Sequence, residues 1–185
     1  MKILLVGASS TGKTTILNMM DSKYNKITEV VRRLVKDQGI DINEQGNIET
    51  QKLIFDTYVN ELSNNDNYVS DRCLIDVLGY TTTNYTRMDD TDPLKNKMLT
   101  ELGREYDAMF EWFAENPDAK IIYFPIEFDS VDDGVRSTNE KYRRETDENM
   151  KILVDCVKEV LGYDYLTVHG TPEERLKQIN EYIGE

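Results

Sequence analysis

Five short apolar runs punctuate the chain, and between them the apolar residues recur every three or four positions. The runs are KILLV (2–6), NKIT (25–28), NYVSD (67–71), AKIIYFPIE (119–127) and YLTVHG (165–170). Runs of that length, bounded by glycine, asparagine or proline, predict buried strands. The segments between them predict helices. One starts near Lys13. EVVRRLVKDQG (29–39) turns Val30, Val31, Leu34 and Val35 inward and stops at Gly39. IETQKLIFDTYVNEL (48–62) carries Ile54, Tyr58 and Leu62 at four-residue spacing. Residues 73–82 form another, followed by a polar loop through TRMDDTD. The helix over 92–117 opens on Asp92 as cap and Pro93 at its first position, with apolar residues at 94, 98, 102, 106, 109 and 113. The next ends near Leu161, with Ile152, Leu153, Cys156, Val157 and Val160 inward. In the last, over 171–183, Thr171, Pro172 and Glu174 make a capping box.

Strand and helix alternate from one end to the other. That predicts one α/β domain over residues 1–185, a three-layer sandwich with a five-stranded parallel sheet. Ligands of such sheets bind beyond the carboxyl ends of the strands. Gly7, Glu29, Asp71, Glu127 and His169 fall at or just past strand ends and are expected to share one rim.

The first of those ends carries the clearest chemistry. Gly7, Ala8, Ser9, Ser10, Thr11, Gly12, Lys13 and Thr14, followed by Thr15, satisfy the pattern G-x-x-x-x-G-K-[ST], directly after an apolar strand and before a helix. The glycines let successive N–H groups turn toward phosphate oxygens, and the helix adds its positive end. Lys13 supplies a cation for the terminal phosphates and Thr14 a hydroxyl for Mg²⁺. The expected ligand is ATP with Mg²⁺, on a P-loop NTPase fold. After the third strand, Asp71 can reach Mg²⁺ or accept a proton, and Arg72 can clamp a phosphate; the alternative is a helix cap beside a surface ion pair. Glu29 reads equally as a general base and as a favourable charge at a helix start, with Arg32 one turn on. Residues 129–145 read as a basic lid in which Arg136, and less strongly Arg143, stabilise a transferring phosphoryl group; the alternative is a solvated helix end. His169 reads as structural, and Trp112 as core.

Composition narrows the class. The net charge is −13, yet residues 1–40 carry +4 and the remaining 145 carry −17. An acidic body repels a long polyanion while leaving room for a local basic cleft. Cys73 and Cys156 form no metal-ligand pair, and no run is long enough to span a bilayer. A cytoplasmic protein without membrane contact is expected, with the oligomeric state open.

GASSTGKTT, TEVVRRL, VSDRCLIDVLGYT, DDGVRSTNEKYRRETDE and HGTPEERLKQI, in that order, resemble the nucleoside and nucleotide kinase branch of P-loop proteins. The likeness is to small AAA-type P-loop kinases that include the nicotinamide riboside kinase domain of the bacterial NAD regulator and phage proteins; thymidylate kinase is more distant. The resemblance implies a kinase that transfers the γ-phosphate of ATP to a nucleoside or nucleotide acceptor. Lys13 and Thr14 then serve ATP and Mg²⁺, Glu29 is the base, Asp71 and Arg72 are the Asp-Arg pair and Arg136 is the lid arginine. Thymidylate kinases have proline after that glutamate, whereas this chain has Val30. A phage class acting on 5-hydroxymethyluracil implies modified DNA as an alternative acceptor. An ATPase or nucleotide switch with a protein partner is the alternative from another class.

Overall fold

The computed structural model describes residues 1–129 and 137–185. Its strands are β1 (Lys2–Val6), β2 (Asn25–Ile27), β3 (Tyr68–Ser70), β4 (Lys120–Tyr123) and β5 (Tyr165–Thr167). They make one parallel sheet in the order β2-β3-β1-β4-β5. Seven α-helices occur among the described residues: α1 (Lys13–Met19), α2 (Val30–Gln38), α3 (Ile48–Ser63), α4 (Leu74–Arg87), α5 (Lys95–Glu115), α6 (Glu140–Leu161) and α7 (Pro172–Ile183). A short 3₁₀ turn covers Asn43–Gln45.

Alternation along the central strands builds two cores. Leu4, Val6, Ile121 and Tyr123 face one side, where Phe55, Tyr58, Leu78, Met109, Phe113, Met150 and Val154 cover them from α3, α4, α5 and α6. Ile3, Leu5, Ile122 and Phe124 face the other, against Ile16 and Leu17 of α1 and Ile179 and Ile183 of α7. The expected three layers are present.

The strand order fixes where a ligand can sit. From β1 the chain goes to the β2 edge and returns through β3 to pair beside β1; it then crosses to β4 on the far side. The loops after β1 and β3 therefore lie side by side at the carboxyl rim, at the switch point where such sheets bind ligands.

Three sequence expectations are corrected. Helix α4 runs to Arg87, five residues past 82, and threonine hydroxyls inside it bond back to carbonyls one turn earlier: Thr81 to Val77, Thr82 to Leu78, Thr83 to Gly79. Asp92 and Pro93 precede α5 rather than open it; the Asp92 carboxylate accepts from Leu94 N–H at 2.8 Å, closing a turn, and the helix starts at Lys95. In α6 the buried stripe is Tyr142, Arg143, Thr146, Met150, Leu153, Val154 and Val157. Leu153 and Val157 are buried as expected, but Ile152 is 59% exposed and Val160 67%, so the expected face lies one position early. Arg136 lies outside the described residues.

Candidate active site

Loop 7–12 joins β1 to α1 and is built from its backbone. Gly7 has φ +149°, and a Cβ there would stand 2.4 Å from the carbonyl oxygen of Phe124, so only glycine lets the loop pass so close to the end of β4. Ser10 has φ +58° and Gly12, the residue before α1, φ +91°. The Thr11 hydroxyl donates to Ala8 O at 3.0 Å.

Four charged side chains from distant parts of the chain hold this loop, all acting on its backbone. The Asp76 carboxylate accepts from Gly7 N–H at 3.2 Å and, as the third residue of α4, from Cys73 N–H at 2.9 Å. Asp147 of α6 accepts from Ala8 N–H at 3.4 Å and from the Tyr123 hydroxyl at 2.9 Å. Arg143, also of α6, donates to Ser9 O at 2.8 Å and Phe128 O at 2.9 Å, and pairs with Glu140 at 3.2 Å. Arg175 of α7 donates to Thr11 O at 2.6 Å and pairs with Glu127 at 2.5 Å, with its guanidinium over the rings of Phe124 and Phe128. Arg143 is thus neither a solvated helix end nor a free lid residue. Its side chain is 1% exposed and ties α6 to the loop.

Lys13 lies folded into this cradle. Its Nζ donates to Gly7 O at 2.5 Å, Ala8 O at 2.7 Å and Thr11 Oγ1 at 3.3 Å. Burial pushes its ammonium down to about 8, against the opposing pull of the Asp76, Asp71 and Asp147 carboxylates. The Thr14 hydroxyl donates to Asp71 Oδ2 at 3.3 Å, and the Thr28 hydroxyl to the same oxygen at 2.7 Å. Asp71 therefore does not cap α4; Cys73 and Asp76 do that. Among the described residues Arg72 makes no surface pair either; its guanidinium stacks over Tyr80 at 5.3 Å. Burial works against its charge, but Tyr80, Tyr58, Asp76 and Asp71 outweigh that and raise its pKa.

Glu29 stands on the next strand end, half-exposed and 3.3 Å from Arg32. It precedes α2, and its side chain does not cap that helix. Its φ is +59°, in the left-handed region. Among the described residues only Ser10, Glu29 and Asn43 are non-glycine residues in that region, and all three line the two cavities at this rim. Strained backbone of this kind gathers at ligand sites.

The cavities adjoin. One follows the loop from Ser9 to Ile16 and reaches Phe128, Asp129, Pro172 and Arg175. The other lies under α2 and α3, with Glu29, Arg32, Asn43, Gln51, Tyr58 and Tyr80 in its wall. Ser9, Thr14, Asp71 and Arg72 belong to both. Thr15 faces the loop cavity, while His169 is exposed and holds Glu127 at the far end of the rim.

Asp76, Asp147, Arg175 and Gln51 were not read as site residues from the sequence. A signal existed for two of them. Asp76 follows Cys73 at capping-box spacing, and Arg175 shares a four-residue spacing with Ile179 and Ile183 in the buried stripe of α7.

A family model described as AAA domain matches residues 2–175. The chain belongs to the AAA domain family. No curated protein matches it significantly. In three solved structures of deoxyadenosine kinase from M. mycoides, this AAA domain finds its fold over its whole length. The form with bound dATP aligns at TM-score 0.66 and 18% identity and covers 100% of both chains. The form with products dCMP and a flexible dCDP aligns at 0.64 and 16%, covering 98% of that chain. The form with bound dCTP aligns at 0.59 and 16%, covering 99%. The AAA domain thus has the P-loop kinase fold, and none of its described helices is long and apolar enough to cross a membrane.

Proposed function

We propose that this protein is an ATP-dependent phosphotransferase acting on a nucleoside or nucleotide. The observation that carries the reading is the shared wall: a phosphate-loop cavity opens onto a second cavity through Ser9, Thr14, Asp71 and Arg72. A pure ATPase has no use for a second cavity lined with Tyr58, Tyr80, Gln51 and Asn43. A kinase needs one to hold the acceptor in line with the γ-phosphate.

The residues divide the work by position. Loop 7–15 holds the triphosphate through its N–H groups and the start of α1. Lys13 leaves the Gly7 and Ala8 carbonyls to meet the terminal phosphates. Thr14 and Asp71 bring a hydroxyl and a carboxylate oxygen within 3.3 Å of each other, an oxygen pair that would hold Mg²⁺. Mg²⁺ would neutralise charge developing on the phosphates. Glu29 lines only the acceptor cavity and is the residue placed to take the acceptor hydroxyl's proton; Asp71, bonded to Thr14 and Thr28, serves the metal side. Arg72 touches both cavities and steadies the group in transfer.

The neighbours' bound dATP, dCTP and dCMP support a deoxynucleoside-sized acceptor. The test is ADP release from Mg·ATP across deoxynucleosides and their monophosphates. At least one acceptor should raise turnover far above basal hydrolysis. Hydrolysis that no acceptor stimulates would replace the kinase with a nucleotide switch.

A further inference from the structure

Behind the acceptor cavity lies a carboxylic acid with nothing to hold it. Glu105 of α5 is fully buried, and neither carboxyl oxygen has a hydrogen-bond partner among the described residues. The polar side chain nearest it in effect is Thr81 of α4, whose hydroxyl interacts with it short of full hydrogen-bond geometry. That same hydroxyl lies 3.3 Å from Oε1 of Gln51 and 3.2 Å from Val77 O. Gln51 is itself buried and lines the acceptor cavity. Its Oε1 faces Thr81, and its Nε2 has no hydrogen bond among the described residues. A Cβ on Gly46 would stand 2.7 Å from that nitrogen, so the segment after the 3₁₀ turn packs closely against the amide.

We infer that Glu105 is a positioning residue: acting through Thr81, it decides which edge of the Gln51 amide faces the acceptor. This rests on the acceptor reading of the cavity. The reasoning is one of hydrogen-bond supply. Thr81 has a single O–H. When Glu105 is neutral, that O–H is shared between Val77 O and Gln51 Oε1, and the NH₂ group is offered to the cavity. When Glu105 is charged, the carboxylate takes the O–H. Gln51 then faces a lone pair on Thr81, and the amide is better satisfied turned over, with its NH₂ to Thr81 and its oxygen to the cavity. The first state suits an acceptor base presenting a carbonyl, and the second one presenting an amino group.

The surroundings bring this proton into a useful range. Burial raises the Glu105 carboxyl to about 8, with Glu101 and Asp56 adding to it. Arg104, the neighbouring cation, is already engaged by Glu101 and by Asp56 at 2.9 Å. The carboxylate therefore stays without a counter-ion, a costly arrangement for an ordinary core position.

The test uses deoxycytidine and deoxyuridine as probes, since they present an amino group and a carbonyl at the same ring position. KM and kcat are measured for both from about pH 6.5 to about pH 9.5, on the intact protein and on Glu105→Gln, Thr81→Val and Gln51→Leu, with circular dichroism to confirm folding. In the intact protein the deoxyuridine-to-deoxycytidine KM ratio should rise about tenfold across the range, the size of one mismatched buried hydrogen bond. kcat should change little, because Gln51 touches the base and not the reacting hydroxyl. Glu105→Gln, which keeps the neutral form, should hold the ratio at its low-pH value, and any ionisation of the nucleosides themselves remains as a common background. Thr81→Val should also flatten it. If Gln51→Leu weakens both probes but Glu105→Gln keeps the wild-type pH dependence, the role of Glu105 is overturned and the acceptor cavity stands. If calorimetry finds neither probe bound, the acceptor reading fails and this one with it.

Discussion

Lys13 is folded back on its own loop, and a phosphate has to compete with the Gly7 and Ala8 carbonyls for it. Its ammonium, lowered to about 8 by burial, regains its full charge when phosphate arrives. Binding is then linked to proton uptake above that pH, so ATP affinity should fall as pH rises past about 8, by at most about tenfold per unit. Calorimetric titration of ATP at several pH values checks this, and in Lys13→Ala the dependence should vanish along with most of the affinity. Glu29 and Asp71 separate by position. Glu29→Gln should lower kcat by about 10²–10⁴ and leave ATP binding unchanged. Asp71→Asn should in addition raise the Mg²⁺ concentration needed for half-maximal turnover. Equal Mg²⁺ dependence in the two variants would return Asp71 to a structural role. The loop, the Asp-Arg pair and Glu29 were legible because each follows an apolar strand and occupies a few adjacent residues. Asp147, Gln51 and the loop-anchoring role of Arg143 were not, because their meaning comes from contacts across 30 to 139 positions that no local pattern reports.

At the scale of elements, strands and caps were read more accurately than helix faces. The capping box of α7 formed as expected, with the Thr171 side chain accepting from Glu174 N–H and that of Glu174 from Thr171 N–H. The misphased face of α6 has a specific origin. Its buried stripe includes Arg143 and Thr146, polar because they face the loop and the site, while Ile152 and Val160 supply apolar residues on the outside. A hydrophobic count follows the apolar residues and so drifts away from the functional face. The extra turn of α4 has a related origin: beyond residue 82 its polar Thr83 and Thr86 read as loop, while their hydroxyls donate to the carbonyls of Gly79 and Thr83. α6 reaches the loop through Arg143, so Arg143→Ala should cost about 2–3 kcal/mol of stability, the scale of lost charged hydrogen bonds that leave buried carbonyls unpaired. It should also loosen the loop. Thermal unfolding gives the first effect, and hydrogen exchange at Ser9 to Gly12 the second.

For the molecule as a whole, alternation of strand and helix made the three layers legible, but not the order β2-β3-β1-β4-β5, which depends on crossovers that leave no mark in the chain. Stability carries its own pH signature from Glu105. The folded state keeps a proton there up to about 8, whereas the unfolded chain releases it near 4.5. Between those values the folded state binds the extra proton, so stability falls as pH rises, and the loss is complete above about 8. Glu105→Gln should therefore gain on the wild type with increasing pH, from little difference near about pH 5 to about 1–3 kcal/mol near about pH 9. Parallel denaturant melts at the two pH values decide it. The four charged side chains that hold the phosphate loop have a consequence in time. Residues 7–12 leave the ribosome well before their anchors at positions 76, 143, 147 and 175, the final one of which lies in α7. A growing chain carries the complete phosphate-loop motif long before the scaffold that shapes it, so competence to bind nucleotide should switch on only once Arg175 has emerged and α7 has docked.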